Sequence, residues 1–113
     1  MKAITKIIFL DENGEKFFGE GPANLMRAIE ETGSLRAAAI SMGMAYTKAL
    51  KLIANTEKAL GFQLTERTTG GKDGGGSRIT QKGKEWLIKY ENYRDACKAA
   101  NAKLYMDFFS KQP

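Results

Sequence analysis

The residues of this sequence best suited to chemistry are the basic side chains set among glycines in residues 66–83, ERTTGGKDGGGSRITQKG. Lysine and arginine side chains can bind phosphate groups, and glycines beside them let the backbone come close to a ligand. A Walker loop for nucleotide phosphates requires a serine or threonine directly after its lysine. Here Gly71-Lys72 is followed by Asp73, whose carboxylate would repel phosphate. A nucleotide site is therefore disfavoured, and two alternatives stay open: a flexible linker, or a hairpin tip that contacts a nucleic-acid backbone.

A second polar and basic group lies on one face of a helix predicted to begin near Ala45. The apolar positions of this helix step by three or four residues, which marks a buried face at Ala49, Leu52, Ile53, Thr56 and Leu60. The opposite face carries Thr47, Lys48, Lys51 and Asn55. One interpretation is a solvated surface. The other is a helix whose first turns enter a DNA major groove, with Thr47 and Lys48 at base edges and Lys51 at a phosphate. Tyr46 would either pack on the domain or donate its hydroxyl to a phosphate.

The residue types present do not favour catalysis. The chain contains no histidine and one cysteine, Cys97, which removes histidine-dependent nucleophile systems, the usual zinc sites and any intrachain disulfide. The carboxylates Asp11, Glu12 and Glu15 cluster at a predicted turn and are interpreted as solvated. We expect a protein that is not an enzyme and that needs no cofactor or metal. No run approaches the roughly 20 apolar residues of a membrane span, so we expect no membrane partner and a cytoplasmic location.

The distribution of charge favours an acidic polymer as the partner. The net charge is +5, and it is concentrated in the middle of the chain. Residues 34–61 carry four basic and one acidic side chain, and residues 62–84 carry five and two. This region contains both groups described above. A generic basic surface is the alternative, but a concentrated positive charge beside a polar helix face predicts double-stranded DNA as partner.

Turn and capping residues organise the first half of the chain. Asn13-Gly14 between two apolar patches predicts a β-hairpin in residues 1–20. Pro22 suits the first position of a helix, and Ser34 can cap the next one. Three helices are therefore predicted in residues 22–60, of which the last two form a helix-turn-helix.

The second half is predicted to contain a wing and a long helix. Strand-like segments flank the glycine-rich stretch, so residues 62–80 are predicted to form a wing, and this position favours the wing over the linker. Thr80 can cap a final helix in residues 81–110. The fold class is thus α+β, mainly α, with one winged helix-turn-helix domain over residues 1–113.

The final helix carries a heptad-like seam. Its apolar and small residues recur at steps of three and four, which is the spacing at which one helix packs along another. The seam predicts a dimer interface formed by Trp86, Tyr90, Tyr93, Cys97, Ala100, Leu104 and Phe108.

The stretch GSLRAAAISMGMAYTKALKLIANTEKALGFQLTERTTGGKDGGGSRITQKG resembles the winged helix-turn-helix of LysR-type regulators. The matching residues are Gly33, Ser34, Leu35, Ala38, Ala39, Gly43, Ile79, Thr80 and Gly83. Within it, ERTTGGKDGGGSRIT is similar to the glycine-rich wing of ModE-type molybdate-responsive regulators, whose N-terminus also carries extra strands.

This resemblance implies a transcription regulator that dimerises through its last helix and binds a pseudo-palindromic operator. Members of the ModE-type family continue into molybdate-binding domains, whereas this sequence stops at Pro113. We therefore expect either the DNA-binding half alone or a single-domain relative, in both cases without the molybdate-binding domains and with molybdate in question as an effector. The predicted DNA-contacting residues are Ser34, Arg36, Tyr46, Thr47, Lys48, Lys51, Asn55, Arg67, Lys72, Arg78 and Lys82.

The heptad-like seam also supports a hypothesis from another class. A small protein-interaction or ligand-sensing module would use the C-terminal helix as its docking surface. The two hypotheses differ in oligomeric state, because only the regulator must form a stable dimer without another protein.

Overall fold

The structure, a computed structural model, describes residues 1–69 and 76–109. A short hairpin, three helices, a second hairpin and a long helix follow one another as β1 (Phe9–Leu10), β2 (Lys16–Phe18), α1 (Glu20–Thr32), α2 (Leu35–Ser41), α3 (Tyr46–Leu60), β3 (Thr65–Thr68), β4 (Gly76–Ile79) and α4 (Gln81–Phe109). Each hairpin is its own two-stranded antiparallel sheet. This order confirms the predicted fold class. None of the helices in the described ranges is long and apolar enough to cross a bilayer.

The N-terminal segment lies along α4, and its paired part is shorter than the hairpin predicted for residues 1–20. The Tyr90 hydroxyl donates a hydrogen bond to the Ile7 carbonyl oxygen at 3.0 Å. Further along α4, the Tyr105 hydroxyl donates to the Met1 carbonyl oxygen at 2.9 Å. Residues 1–8 are therefore held by side chains of α4, and β1 pairs with β2 over Phe9–Leu10.

The turn between β1 and β2 is organised by Asp11, which corrects the interpretation of this carboxylate as merely solvated. Its Oδ1 accepts hydrogen bonds from the backbone N–H groups of Asn13 at 2.8 Å and Glu15 at 2.9 Å. Aspartate commonly satisfies the backbone two residues on in this way. The carboxylate thus holds the hairpin closed.

Local capping residues set the helix-turn-helix, largely as predicted. Helix α1 begins at Glu20, so Pro22 is its third residue; the missing N–H is harmless there because the first four N–H groups lack helical partners. Gly33 ends α1 at a φ of +74°, a conformation that glycine adopts without strain. The Ser34 hydroxyl caps α2 by accepting a hydrogen bond from the Ala37 N–H at 3.1 Å.

The wing is attached to the turn between α1 and α2. The Ser77 N–H donates to the Gly33 carbonyl oxygen at 2.8 Å. At Gly76 the approach is so close that a Cβ atom would lie 2.3 Å from the same oxygen. The N–H of Gly76 donates to Oγ1 of Thr68 across the hairpin at 3.1 Å. Glycine at position 76 therefore lets strand β4 pack directly against the backbone of the turn between α1 and α2.

Replacing Gly76 by alanine is expected to destabilise the protein by about 1–3 kcal/mol, because the methyl group would collide with backbone that cannot rotate away. Chemical denaturation followed by circular dichroism measures this difference. Gly21→Ala is the matched control, since a Cβ atom there meets nothing within 4 Å. Equal stability of the two variants would contradict the close approach.

Tyr90 is a core residue of its own chain, which corrects its predicted place in a dimer seam. It is 1% exposed, and its ring centroid lies 4.9 Å from that of Phe18 and 5.5 Å from that of Phe9. Trp86 packs edge-on against the same two rings. The heptad-like spacing identified a packing face, but the aromatic residues of the N-terminal hairpin occupy its first half. Tyr90 therefore has no surface left for a second copy.

The second half of the seam is largely open to solvent. Tyr93, Leu104 and Phe108 are 52%, 54% and 71% exposed. Cys97 is half-buried and Ala100 is exposed. Large apolar side chains exposed along one long helix are typical of an interaction surface, so the dimer prediction now concerns this part of α4.

Candidate nucleic-acid interface

Helix α3 presents a polar, basic face because its opposite face is locked into the core. Ala49, Ile53 and Thr56 are buried. The Thr56 hydroxyl donates to the Phe17 carbonyl oxygen at 2.6 Å, which ties α3 to β2. The residues left exposed on α3 include Thr47, Lys48, Leu50, Lys51, Ala54, Asn55 and Lys58. The rotation of α3 about its axis is therefore set by the core, and the predicted polar face points to solvent.

Arg36 of α2 and Tyr46 of α3 form a stacked pair at the beginning of the exposed face. The guanidinium carbon of Arg36 lies 4.1 Å from the centroid of the Tyr46 ring. Such cation–π contacts orient the guanidinium while leaving its N–H donors for an anion. Of the two alternatives for Tyr46, the structure has the ring packing on the domain. Arg36 and Tyr46 belong to different helices on either side of the turn. The sequence pattern therefore gave no sign that the two side chains are in contact.

The wing joins this face through the beginning of α2. Because Ser77 bonds to Gly33, strand β4 lies next to Ser34 and hence to the first turn of α2. Arg36 follows in that turn and reaches across to Tyr46 at the start of α3. Wing strand, α2 start and α3 start therefore form one continuous surface. Ser34 belongs to it, with its hydroxyl oxygen engaged in capping α2.

The basic residues of the wing differ in their surroundings. Arg78 lies directly opposite Glu66 in the strand register, and its Nε is 2.8 Å from a carboxylate oxygen of Glu66. Both side chains are exposed, so this ion pair contributes little to stability but partly neutralises Arg78. Arg67 is exposed on β3. Lys72, predicted to contact DNA from the wing tip, lies outside the described residues.

The other two predicted DNA-contacting residues, Lys82 and Asn55, are on α4 and α3. Lys82 is in the first turn of α4, with its ammonium nitrogen 5.8 Å from the centroid of the Phe62 ring. Asn55 borders a groove of about 450 Å³ between α3 and the β1–β2 turn, a groove that also contains Asp11 and Glu12. Lys16 and Lys58 line the groove as well, so its walls carry both signs of charge. Asn55 therefore shares the exposed face of α3 with Lys48 and Lys51, whereas Lys82 is exposed at the start of α4.

Two ion pairs join α1 to α4 at the surface of the domain. Arg27 binds the carboxylate of Glu91 through two nitrogens, and Arg94 binds Glu20 at 2.9 Å. The hydrogen bond from Arg27 lowers the pKa of Glu91 below its usual range. The partners are more than 60 residues apart, so sequence inspection missed them.

Comparison with known proteins identifies the family. The model for "Bacterial regulatory helix-turn-helix protein, lysR family" matches residues 23–84, more than half of the chain. The chain belongs to this lysR family. The matched range runs from α1 through the wing to the first residues of α4, so it contains the whole continuous surface described above. Because this is a family of regulatory proteins, the prediction that the chain is not an enzyme is confirmed.

Two curated relatives support the ModE-type resemblance within the lysR family. The molybdenum transport protein ModE of Herbaspirillum seropedicae is 40% identical over 63 residues, which cover 56% of this chain and 23% of that protein. The molybdenum-pterin-binding protein MopB of Rhodobacter capsulatus is 32% identical over 101 residues, which cover 89% of this chain and 36% of that protein. The chain thus spans about a quarter to a third of the length of these relatives.

Solved structures of lysR-family proteins share the fold. A LysR family transcriptional regulator superposes with a TM-score of 0.59 at 18% identity, covering 81% of this chain and 30% of that one. The BenM DNA-binding domain, in complex with benA site 1 DNA, superposes with a TM-score of 0.53 at 24% identity, covering 74% of this chain and 92% of that one. These similarities confirm the winged helix-turn-helix fold.

Proposed function

We propose that this chain is the DNA-binding part of a transcriptional regulator and that it binds a pseudo-palindromic operator as a homodimer. The observation that carries the proposal is the continuous surface made by the wing strand, the start of α2 and the start of α3. Thr47 and Lys48 are assigned to base edges, and Lys51 to a phosphate. Binding to double-stranded DNA is supported by the family and by a structural neighbour solved on DNA.

Selection of bound sequences from a pool of random duplexes tests this function. We expect recovery of two related half-sites in inverted orientation, because a two-fold dimer reads a pseudo-palindrome. Gel shifts with the recovered duplex and with a scrambled one then measure the specificity ratio at a stated salt concentration. Recovery of no preferred sequence would contradict the proposal.

The proposed dimer uses the exposed part of α4. Leu104 and Phe108 are large, exposed apolar side chains on the C-terminal half of this helix. Sedimentation of the isolated protein measures the oligomeric state. A stable dimer supports the regulator, whereas a monomer would favour the alternative function, a protein-interaction or ligand-sensing module that docks through α4.

Molybdate is proposed as a candidate effector on the strength of the relatives alone, whose names refer to molybdenum. The random-duplex selection is therefore run with and without molybdate. Identical sequences and affinities in both arms would remove molybdate as an effector of this chain. A cytoplasmic location is part of the same proposal, since the operator is there.

The wing is proposed to contact phosphate through Arg78, and the Glu66 carboxylate opposite it provides a matched control. Arg78→Ala is expected to weaken binding to all duplexes alike and to reduce the salt slope of the binding constant by about one. Glu66→Gln is expected to strengthen binding without changing sequence preference, because it releases the guanidinium from its ion pair. Binding measured across several salt concentrations gives both slopes. Equal slopes for Arg78→Ala and the parent protein would rule out the contact.

A further inference from the structure

Leu50 is a large apolar residue on the mostly polar exposed face of α3. Its side chain is 43% exposed, and it is not among the residues that pack in or against the core cluster. The neighbouring positions Ala49 and Ile53 point into the core. A large part of the Leu50 side chain is therefore available to a partner.

The spacing of exposed residues places Leu50 at one edge of the face proposed to enter the major groove. Residues three and four apart on a helix lie on the same side, so Thr47, Leu50, Lys51 and Ala54 line one stripe. All four are exposed. Leu50 lies one turn beyond Tyr46, which the Arg36 stack holds at the edge of the surface. Lys51, four residues from Thr47 and three from Ala54, adds positive charge to this side of the helix that complements a phosphate backbone.

The floor of the major groove offers little apolar surface. Its base edges present hydrogen-bond donors and acceptors, apart from the 5-methyl group of thymine. A leucine on a helix in that groove would gain from burial only against such a methyl group. We propose that Leu50 determines sequence preference by packing on the 5-methyl group of a thymine in the operator. Ala54, about 5–6 Å further along the stripe, extends the apolar contact toward a neighbouring base pair.

This inference rests on the proposed DNA-binding function and deepens it by naming a chemical group that is read. Leu50 is exposed, so its replacement by alanine removes the contact without opening a cavity in the core.

The test uses the duplex recovered from the random pool, resynthesised with single thymines replaced by uracil. Uracil keeps the hydrogen-bonding groups of thymine and lacks only the methyl group. For the parent protein, we expect one thymine in each half-site at which this replacement weakens binding about fourfold, the value for one buried methyl group. For Leu50→Ala, the same replacement is expected to have no effect. Leu10→Ala, a change at a 58% exposed leucine on β1, is the matched control and should keep the full methyl effect.

The outcomes of this test separate the role of Leu50 from the proposed function. Sequence-specific binding that is insensitive to uracil at every position would overturn the role of Leu50 and leave the regulator function standing. That role would also be overturned if Leu50→Ala kept the parent protein's methyl effect. A pool that yields no preferred sequence would overturn the proposed function, and the inference with it. Circular dichroism of Leu50→Ala confirms that the comparison is made on folded protein.

Discussion

Replacing Tyr90 by alanine is expected to lower the free energy of unfolding by about 3–5 kcal/mol, the usual cost of removing a large aromatic side chain from a core. The ring fills the space between α4 and the aromatic residues Phe9 and Phe18 of the N-terminal hairpin. Its loss would leave a cavity where α4 joins the domain. A small domain has only about 5–15 kcal/mol of stability, so the variant is expected to unfold at much lower denaturant concentration.

Two control variants separate the core role of Tyr90 from a role between copies. Tyr90→Phe keeps the ring and removes only the hydrogen bond to the Ile7 carbonyl oxygen, which is worth about 1 kcal/mol. Tyr93→Ala truncates a tyrosine of the same helix that is half exposed, and we expect a small effect on unfolding. If Tyr90→Ala were as mild as Tyr93→Ala and instead abolished a dimer, the assignment of Tyr90 to the core would be wrong.

Replacing Lys51 by glutamate is expected to weaken DNA binding by about tenfold to a hundredfold at physiological salt, because a proposed phosphate contact becomes a like-charge repulsion. The effect should shrink as salt rises, since exposed charges are screened over about 8–10 Å. Fluorescence anisotropy with a labelled duplex at several salt concentrations measures both the loss and its salt dependence.

Lys58→Glu is the matched control for this charge reversal. Lys58 is exposed in the last turn of the same helix, beside the groove that contains Asp11 and Glu12. The variant has the same net charge as Lys51→Glu but changes a position away from the first turns of α3. Equal losses for both variants would mean that overall charge, and not the position of Lys51, governs binding.

Features that depend on neighbours in the chain were predictable. Ser34 caps α2, and Thr80 caps α4, because each hydroxyl bonds to an N–H three residues ahead. Gly33 ends α1 because only a residue that tolerates positive φ fits there. The buried stripe of α3 follows from its helical period. Together these local signals were sufficient for the fold class and for the polar face of α3.

Features that join distant segments were not predictable. The heptad-like spacing of α4 showed that Tyr90 packs on something, and the structure shows that the partner is the chain's own hairpin. The approach of Gly76 to Gly33 and the stack of Arg36 on Tyr46 left no trace in the spacing of residues. Likewise, the sequence pattern of α3 did not single out Leu50. The structure shows that Ala49 and Ile53 are buried and that Leu50 is exposed.

By itself, the sequence determined the order of the elements, the family resemblance and the basic character of the central region, because capping, turn chemistry and periodicity act over a few residues. Only the tertiary structure decided which apolar residues form the core and which stay exposed on α4. It also decided that wing, α2 and α3 share one surface, through Ser77, Gly33, Arg36 and Tyr46. The physical reason is that packing depends on which segments meet in space, and contacts between segments far apart in the chain have no local signature in the sequence.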